Sequence, residues 1–329
     1  MAYIEIENIE TWQEYIDLHE NMDLSPYIFR GQSNAINDVG EFIKWDLGSS
    51  FNRVYTKSFS LQFAKLINQH LQEDLFKSYY GKYSYTGITD LSSLNALQKC
   101  YYLQHYGLPT CLIDFTFNPL IAMYFAMSGI QGTSGGSYDS DGKCINFSTE
   151  ADRDYISIYR LNCNVLKEYF FVKDITNQNF DSYLSSYETP YYFNDVVNVK
   201  LGLILTPEKD LEGCSENHNL KMQKGCFLLF DNENGQDIGK KGRVDFIRFL
   251  KSHEQYKALQ LPEPVVTIYN IKYNAFMWGK NRIVEDNKLN PKYISAFEFL
   301  RRKEVTGKTL FNDIQGLKYD FNFMYSIDR

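Results

Sequence analysis

The feature that most restricts the fold of this chain is a short apolar strand that leads directly into an apolar helix. The stretch "LPTCLIDFT" is typical of a buried strand, and "NPLIAMYFAMSG" predicts a helix that is capped by Asn118 and has Pro119 in its first turn. Asp114 and Thr116 lie between them, at the end of the strand. Polar side chains beside the free N–H groups of a helix N-terminus suit the binding of an anion or a nucleotide.

The first half of the chain otherwise alternates short strands with helices. Helical periodicity and capping residues, such as Thr11 with Glu14 as a capping box, mark the helices. The predicted strands are "YIEIENI" and "YIFRG", and the predicted helices are "TWQEYIDLHENM", "SSFNRVYTKSFSLQFAKLINQHLQEDLF" and "LSSLNALQKCYYLQHYG".

The second half is richer in strands and closes with helices. Strands are predicted at "DYISIYRL", "VVNVKLGLILTP", "GCFLLFD" and "PEPVVTIYNIKY", and helices at "NPKYISAFEFLRRKEV" and "LFNDIQGLKYDF". Residues 129–154 are rich in Gly, Ser and Asp and predict a flexible insertion. The pattern indicates an α+β fold with a mostly antiparallel sheet.

Composition limits the class of protein. A length of 329 residues with 44% hydrophobic residues favours one elaborated globular domain. The net charge of −7 argues against a broad electrostatic surface for duplex nucleic acid. Scattered cysteines without a CxxC pair favour reduced thiols, and no apolar run reaches the ~20 residues that span a bilayer. We therefore expect a cytoplasmic protein without a membrane segment.

Two motifs that suggest a ligand fail on inspection. "YDSDGKCINFSTE" resembles a calcium loop, but Cys144 occupies the position that requires glycine. "GTSGGS" lacks the Lys-Ser/Thr pair and the preceding strand of a phosphate-binding loop. We expect no bound metal.

Arg30 is the first candidate site residue, because it ends a strand beside Gly31. A glycine allows a ligand to approach the backbone, and the guanidinium fork could hold a phosphate or a ribose. The alternative is a structural arginine that pairs with a carboxylate.

Further candidates follow the central strand. His105 lies near a helix end, and Gln223 lies where a later strand begins. Ser50 and Arg53 belong to "SSFNR", where the alternatives are a helix cap and a surface charge. A lone His more often satisfies a neighbour than it catalyses a reaction, and a buried aspartate at a turn can be an anchor.

The chain resembles FRG-domain proteins in a series of segments that appear in the family's order. The segments are the F-R-G tripeptide at Phe29 to Gly31, "LGSSFNR", "LQHYGLPTCLIDFTFNPLIAMYFA", "MQKGCFLLF" and "EFLRRKEVTGKTLFNDIQGL". This chain departs from the family at one position: the family commonly carries a basic residue after "GLPT", where this chain has Cys111. The resemblance implies a single FRG domain over residues 1–329, with a core at about 24–318 and an N-terminal strand and helix at 1–23.

The aromatic-Arg-Gly strand in turn resembles the first motif of arginine-type ADP-ribosyltransferases. That resemblance implies split antiparallel sheets flanked by helices, with NAD as the substrate in a cleft between them. Arg30 would hold the dinucleotide and Thr116 would support it. Gln223 stands where those enzymes have a glutamate, so Asp114 is the first alternative for the acid, and His105 could act as the base.

The function implied is that of an ADP-ribosyltransferase-like toxin, or an NAD glycohydrolase, in a toxin-antitoxin or anti-phage defence system. ADP-ribose would pass to a protein or a nucleic acid, and an antitoxin protein would control the activity. The alternative is a non-catalytic nucleotide- or peptide-binding sensor module. The predicted catalytic residues are Arg30, His105, Asp114 and Gln223, and the predicted NAD-binding residues are Arg30, Gly31, Gln32, Ser50, Arg53 and Thr116.

Overall fold

The computed structural model describes fifteen stretches or positions along the chain. They are residues 2–32, 47–50, 95–105, 110–128, 137–138, 144–146, 155–185, 191–193, 197–207, 218–233, 245–257, 259–272 and 296–311, with residues 316 and 320. Structural statements below refer to these residues.

The described residues form eleven strands and nine helices. The strands are β1 (Ile4–Ile9), β2 (Tyr27–Gln32), β3 (Leu112–Thr116), β4 (Ser137–Tyr138), β5 (Cys144–Asn146), β6 (Tyr155–Asn162), β7 (Lys173–Asp174), β8 (Tyr191–Phe193), β9 (Val197–Ile204), β10 (Gly225–Glu233) and β11 (Val266–Lys272). The helices are α1 (Trp12–Glu20), α2 (Ala96–His105), α3 (Pro119–Ser128), α4 (Cys163–Tyr169), α5 (Phe180–Ser185), α6 (His218–Met222), α7 (Phe246–Lys257), α8 (Ala296–Arg302) and α9 (Gly307–Leu310).

Nine of the strands form one mixed sheet. Its order is β1-β11-β6-β2-β3-β10-β9-β7, and β8 also pairs with β9. The pairs β1–β11 and β7–β9 are parallel and the other pairs are antiparallel. The short strands β4 and β5 pair with each other inside the stretch 129–154, for which the sequence predicted a loop.

The predicted α+β class and most of the predicted strands are confirmed, but the arrangement of the sheet differs from the expectation of split antiparallel sheets. Nine of the described strands form one continuous mixed sheet, whose shortest ladder is the one between β2 and β3. There the ladder is seen at one position, Phe29 opposite Thr116, whereas β2 pairs with β6 along its whole length. The two parallel pairs lie at the two ends of the strand order, where β1 pairs with β11 and β7 pairs with β9.

Helices cover both faces of this sheet. Because side chains alternate along a strand, Ile113 and Phe115 of β3 point to one face and Leu112 points to the other. The first face packs on α4 and α7, and the second packs on α1, α2, α3, α8 and α9. The apolar residues of the central strands are therefore buried on both faces of the sheet, whereas Asp114 of β3 is exposed.

Gly31 allows β2 to contact the backbone of α3. A Cβ atom added to Gly31 would lie 1.8 Å from the carbonyl oxygen of Ala122 and 2.6 Å from the nitrogen of Ala126. The interpretation that Gly31 leaves its side-chain position open to a ligand is wrong, because the helix occupies that space. Glycine is needed here for packing between strand and helix.

We expect Gly31→Ala to destabilise the protein by at least about 3 kcal/mol, because the new methyl group meets backbone atoms that cannot rotate away. The measurement is urea unfolding. Gly48→Ala is the matched control, since a Cβ at Gly48 finds its nearest neighbour at 4.0 Å, the Cβ of Asp245. Equal stability of the two variants would contradict the close packing.

His19 lies in an aromatic pocket beneath β2. Its Nδ1 atom donates to the carbonyl of Tyr15 at 2.6 Å, and its ring lies 5.3 Å from the rings of Phe29 and Tyr269. Burial lowers the pKa of His19 from 6.5 to about 4, and the nearby charge of Arg160 acts in the same direction, whereas the bond to Tyr15 opposes it. The imidazole is therefore neutral at pH 7.

Acid should weaken the fold through this histidine. Between pH 6.5 and about 4 the unfolded chain binds a proton at His19 that the folded chain does not, so the free energy of unfolding falls as pH falls through that window. The effect is on the order of 3 kcal/mol. Urea unfolding of the wild type and His19→Phe at a series of pH values measures it. A difference between the two proteins that stays constant with pH would contradict a buried neutral imidazole.

Cys100, Cys163 and Cys226 are free thiols in the core, and Cys111 is buried there as well. Burial raises the pKa of Cys100 and of Cys163 to about 12. Their thiols are therefore inert packing groups, as the sequence predicted for several of them.

In the described part of the chain, no helix has the length and apolar character that crossing a bilayer requires.

Candidate functional site

Arg30 lies where β2 and β3 separate. It follows Phe29, the residue of β2 that pairs with β3, and its Nη1 atom donates to the main-chain carbonyl of Asp114 at 2.8 Å. Asp114 precedes the paired Thr116 by two residues, so its carbonyl points to the same side of β3, towards β2. The guanidinium thus bonds a strand carbonyl at the point where the ladder between the two strands ends.

The ion pair between Arg30 and Asp114 is weak. Nη1 lies 3.5 Å from Oδ2 of Asp114, whose side chain is 57% exposed, whereas that of Arg30 is 18% exposed. A long contact to a solvated carboxylate contributes less than about 1 kcal/mol. The Nε atom of Arg30 is buried and has no hydrogen-bond partner among the described residues. The guanidinium therefore retains a donor that the described part of the chain leaves unused.

The carboxylate of Asp114 is the centre of a hydrogen-bonded chain. Gln104 donates its Nε2 atom to both carboxylate oxygens, at 3.0 and 2.9 Å. The side-chain carbonyl of Gln104 accepts from the hydroxyl of Thr110, and the main-chain nitrogen of Thr110 donates to Oγ of Ser50 at 2.9 Å. We call Ser50, Gln104, Thr110, Asp114 and Arg30 the Arg30 network. It links the end of α2, the start of β3 and β2.

Sequence reasoning missed Gln104 and Thr110. Gln104 is adjacent to His105, which is a candidate because an imidazole can act as a base. Thr110 is the last residue of the "GLPT" segment. A neutral amide or hydroxyl does not stand out in a sequence as a charged residue does. The role of Gln104 and Thr110 depends on the position of α2 against β3, which the structure shows.

Thr116 and Gln223 lie together, but their bonds are directed within the protein. The hydroxyl of Thr116 donates to the carbonyl oxygen of Gln223 at 2.7 Å and accepts from the nitrogen of Asn118 at 3.1 Å. The side-chain amide of Gln223 donates to the carbonyl of Leu310 at 3.3 Å. The two residues join β3 and α3 to the turn before β10 and to α9.

The remaining predicted site residues occupy different positions. Gln32 is buried at the end of β2. Ser50 is engaged with both main-chain polar groups of Thr110. His105 is the last residue of α2, but its side chain lies outside the described part, as does the whole of Arg53.

Comparison with known protein families finds a match in the first half of the chain. The family model of the FRG domain matches residues 25–134 of the 329-residue chain. The matched segment includes β2, α2, β3 and α3, and with them the whole Arg30 network, whereas Gln223 lies beyond it. The chain is thus similar to FRG-domain proteins in the segment that builds the site. No curated protein and no solved structure matches it.

The hydroxyl of Thr116 should matter for stability. Thr116→Val leaves the carbonyl of Gln223 and the nitrogen of Asn118 without their partner in a buried setting, so we expect a loss of about 1–3 kcal/mol. Thr116→Ser keeps the hydroxyl and should lose less than about 1 kcal/mol. Chemical denaturation measures both. If the valine variant were as stable as the serine variant, the hydroxyl would not be holding this turn.

Proposed function

We propose that the chain binds NAD at the Arg30 network and transfers ADP-ribose to a macromolecular acceptor. The observation that carries the proposal is the unused, buried Nε donor of Arg30, held beside a carboxylate that stays more than half exposed. A cationic donor next to an accessible anion is the combination that an ADP-ribosyl transfer requires. It lies in the segment that matches the FRG domain.

Arg30 would bind the negatively charged part of the dinucleotide. A guanidinium can form two parallel hydrogen bonds to phosphate oxygens, and a buried one does so with little competition from water. The weak pairing with Asp114 favours this role, because a ligand phosphate would replace a contact of small free energy.

Asp114 would act on the ribose. In the reaction the glycosidic bond between C1′ of the ribose and the nicotinamide nitrogen breaks, and its electron pair leaves with nicotinamide. The positive charge that develops at C1′ is stabilised by a nearby carboxylate. A nucleophile of the acceptor then bonds to C1′ and gives its proton to a base, for which His105 remains the candidate. If water is the nucleophile, the same steps hydrolyse NAD, which is the reaction of an NAD glycohydrolase.

Asp114 is a better candidate for the acid than Gln223. Gln223 carries no charge, and its amide is already bonded to the carbonyl of Leu310. The carboxylate of Asp114 accepts two hydrogen bonds from Gln104, which orient it and leave it partly open to solvent.

An activity of this kind suits a toxin or effector. We propose that it acts in the cytoplasm on a protein or a nucleic acid, in a toxin-antitoxin or anti-phage defence setting, and that an antitoxin protein restrains it. RNA recognition by base stacking does not require a basic protein, so the charge of −7 is compatible with such an acceptor.

The second candidate is a sensor module that binds a nucleotide without cleaving it. The internal bonds of Thr116 and Gln223 favour this alternative, since neither side chain is directed to a ligand. In such a module Arg30 and Asp114 would form a structural polar network.

Substitution of Arg30 tests the proposal. We expect Arg30→Ala to reduce the release of nicotinamide and the transfer of labelled ADP-ribose to a cell extract by at least about 100-fold, because it removes the cation that holds the substrate. Arg30→Lys keeps the charge without the fork and should retain partial activity. Arg302→Ala is the matched control, since Arg302 is an exposed residue of α8 that pairs with Glu298.

Three outcomes separate the candidates. Turnover by the wild type that Arg30→Ala removes, with unchanged unfolding, supports the transferase. Binding of NAD without turnover under any condition supports the sensor module. Equal turnover by Arg30→Ala and Arg302→Ala would refute a role for Arg30 in the reaction.

A further inference from the structure

Gln32 presents an unused acceptor on the same strand as Arg30. The residue is 9% exposed, and its Oε1 atom is buried without a hydrogen-bond partner among the residues described. A buried carbonyl oxygen without a donor is costly, so an uncompensated one points to a missing partner. Arg30 and Gln32 are two residues apart on β2, so their side chains lie on the same face of the sheet, about 6.6 Å apart along the strand.

The neighbouring strands β6 and β11 show why their described polar side chains do not supply the donor. Gln32 pairs in register with Ser157 of β6, which pairs with Asn270 of β11. The hydroxyl of Ser157 donates to Oδ1 of Asn270 at 2.9 Å, and the amide of Asn270 donates to Oδ1 of Asn8 at 3.2 Å. Both of these hydrogen bonds are directed away from Gln32, towards β1.

The end of the row therefore presents the acceptor oxygens of Ser157 and Gln32. The oxygen of Ser157 keeps lone pairs after donating its proton, and Ser157 is fully buried. Gln32 is the register partner of Ser157. A group that fits this position brings an N–H donor for Oε1 of Gln32.

We propose that Gln32 is a specificity-determining residue that accepts a hydrogen bond from an –NH₂ group of the ligand held by Arg30. The inference rests on the proposed binding of NAD. NAD carries this chemistry at two places, the carboxamide of nicotinamide and the exocyclic amine of adenine. Either –NH₂ group can donate to Oε1 of Gln32 while a phosphate or ribose oxygen accepts from Nε of Arg30. Both unpaired side-chain atoms of β2 then have a hydrogen-bond partner.

Titration calorimetry with three dinucleotides tests this assignment and identifies the group. They are NAD, nicotinic acid adenine dinucleotide, which lacks the carboxamide –NH₂, and nicotinamide hypoxanthine dinucleotide, which lacks the adenine amine. We expect wild type to bind one of the two analogues about tenfold more weakly than NAD, and the analogue affected shows which end of the dinucleotide faces Gln32.

Variants of Gln32 complete a double-mutant cycle. Gln32→Leu should weaken the binding of NAD about tenfold. It should leave the affinity for the affected analogue unchanged, because that analogue has no –NH₂ group at this position to lose. Gln32→Glu retains an acceptor oxygen and should bind NAD at least half as tightly as wild type. Gln13→Leu is the matched control, because it makes the same substitution at an exposed position of α1.

The outcomes distinguish this inference from the proposed function. If wild type binds all three dinucleotides equally, the –NH₂ contact is refuted, and a buried water is the partner of Gln32. This comparison uses wild type alone, so it holds even if Gln32→Leu fails to fold. Unchanged NAD binding by a folded Gln32→Leu refutes the contact as well. If wild type binds none of the three, the proposed function itself fails and this inference fails with it.

Discussion

The pairing of Phe29 with Thr116 joins the two halves of the sheet. On one side, β1, β11, β6 and β2 are linked by continuous ladders, and on the other, β3, β10 and β9 are linked in the same way. Where the strands separate, main-chain groups lose their ladder partners and side chains must supply them, because a buried carbonyl without a partner is costly. Arg30 does this for Asp114, and the polar site lies in the gap that results. The helix α3 holds this joint together, since it begins just after β3 and contacts the backbone of β2 at Gly31.

Much of this architecture could be predicted from local patterns in the sequence. The strand and helix around Asp114 were correctly placed, and the predicted caps at Thr11 and Asn118 are seen in the hydrogen bonds to Glu14 and Leu120. These signals are local, so they do not depend on the rest of the chain. The order of the strands could not be predicted in the same way, because it depends on contacts between residues far apart, such as β1 with β11. The expected split sheet came from a resemblance, and no local pattern could test it.

The candidate site likewise contains residues that local patterns in the sequence reveal and residues that only the folded structure reveals. Arg30 and Asp114 are both candidates from the sequence, because a charged residue on an apolar strand is visible there, and in the structure they form an ion pair of 3.5 Å. Gln104 and Thr110 complete the network, but they are neutral and give no such signal. Thr116 and Gln223 were predicted as partners of a ligand, and in the structure they bond to each other. Two polar residues at the ends of adjacent antiparallel strands satisfy each other as readily as they bind a ligand, and only coordinates separate these cases. His105 and Arg53 remain predictions.

The parallel pairing of β1 with β11 has a consequence for synthesis in the cell. The first strand of the chain, Ile4–Ile9, forms its ladder with Val266–Lys272. A nascent polypeptide emerges from its N-terminus at about 5–20 residues per second, so β1 is exposed on the ribosome for many seconds before its partner is made. The ladder between β1 and β11 can therefore form only after residues 266–272 have been made. The alternating glutamates Glu5 and Glu7 place charge on the waiting strand, which protects it from pairing with other chains during that interval.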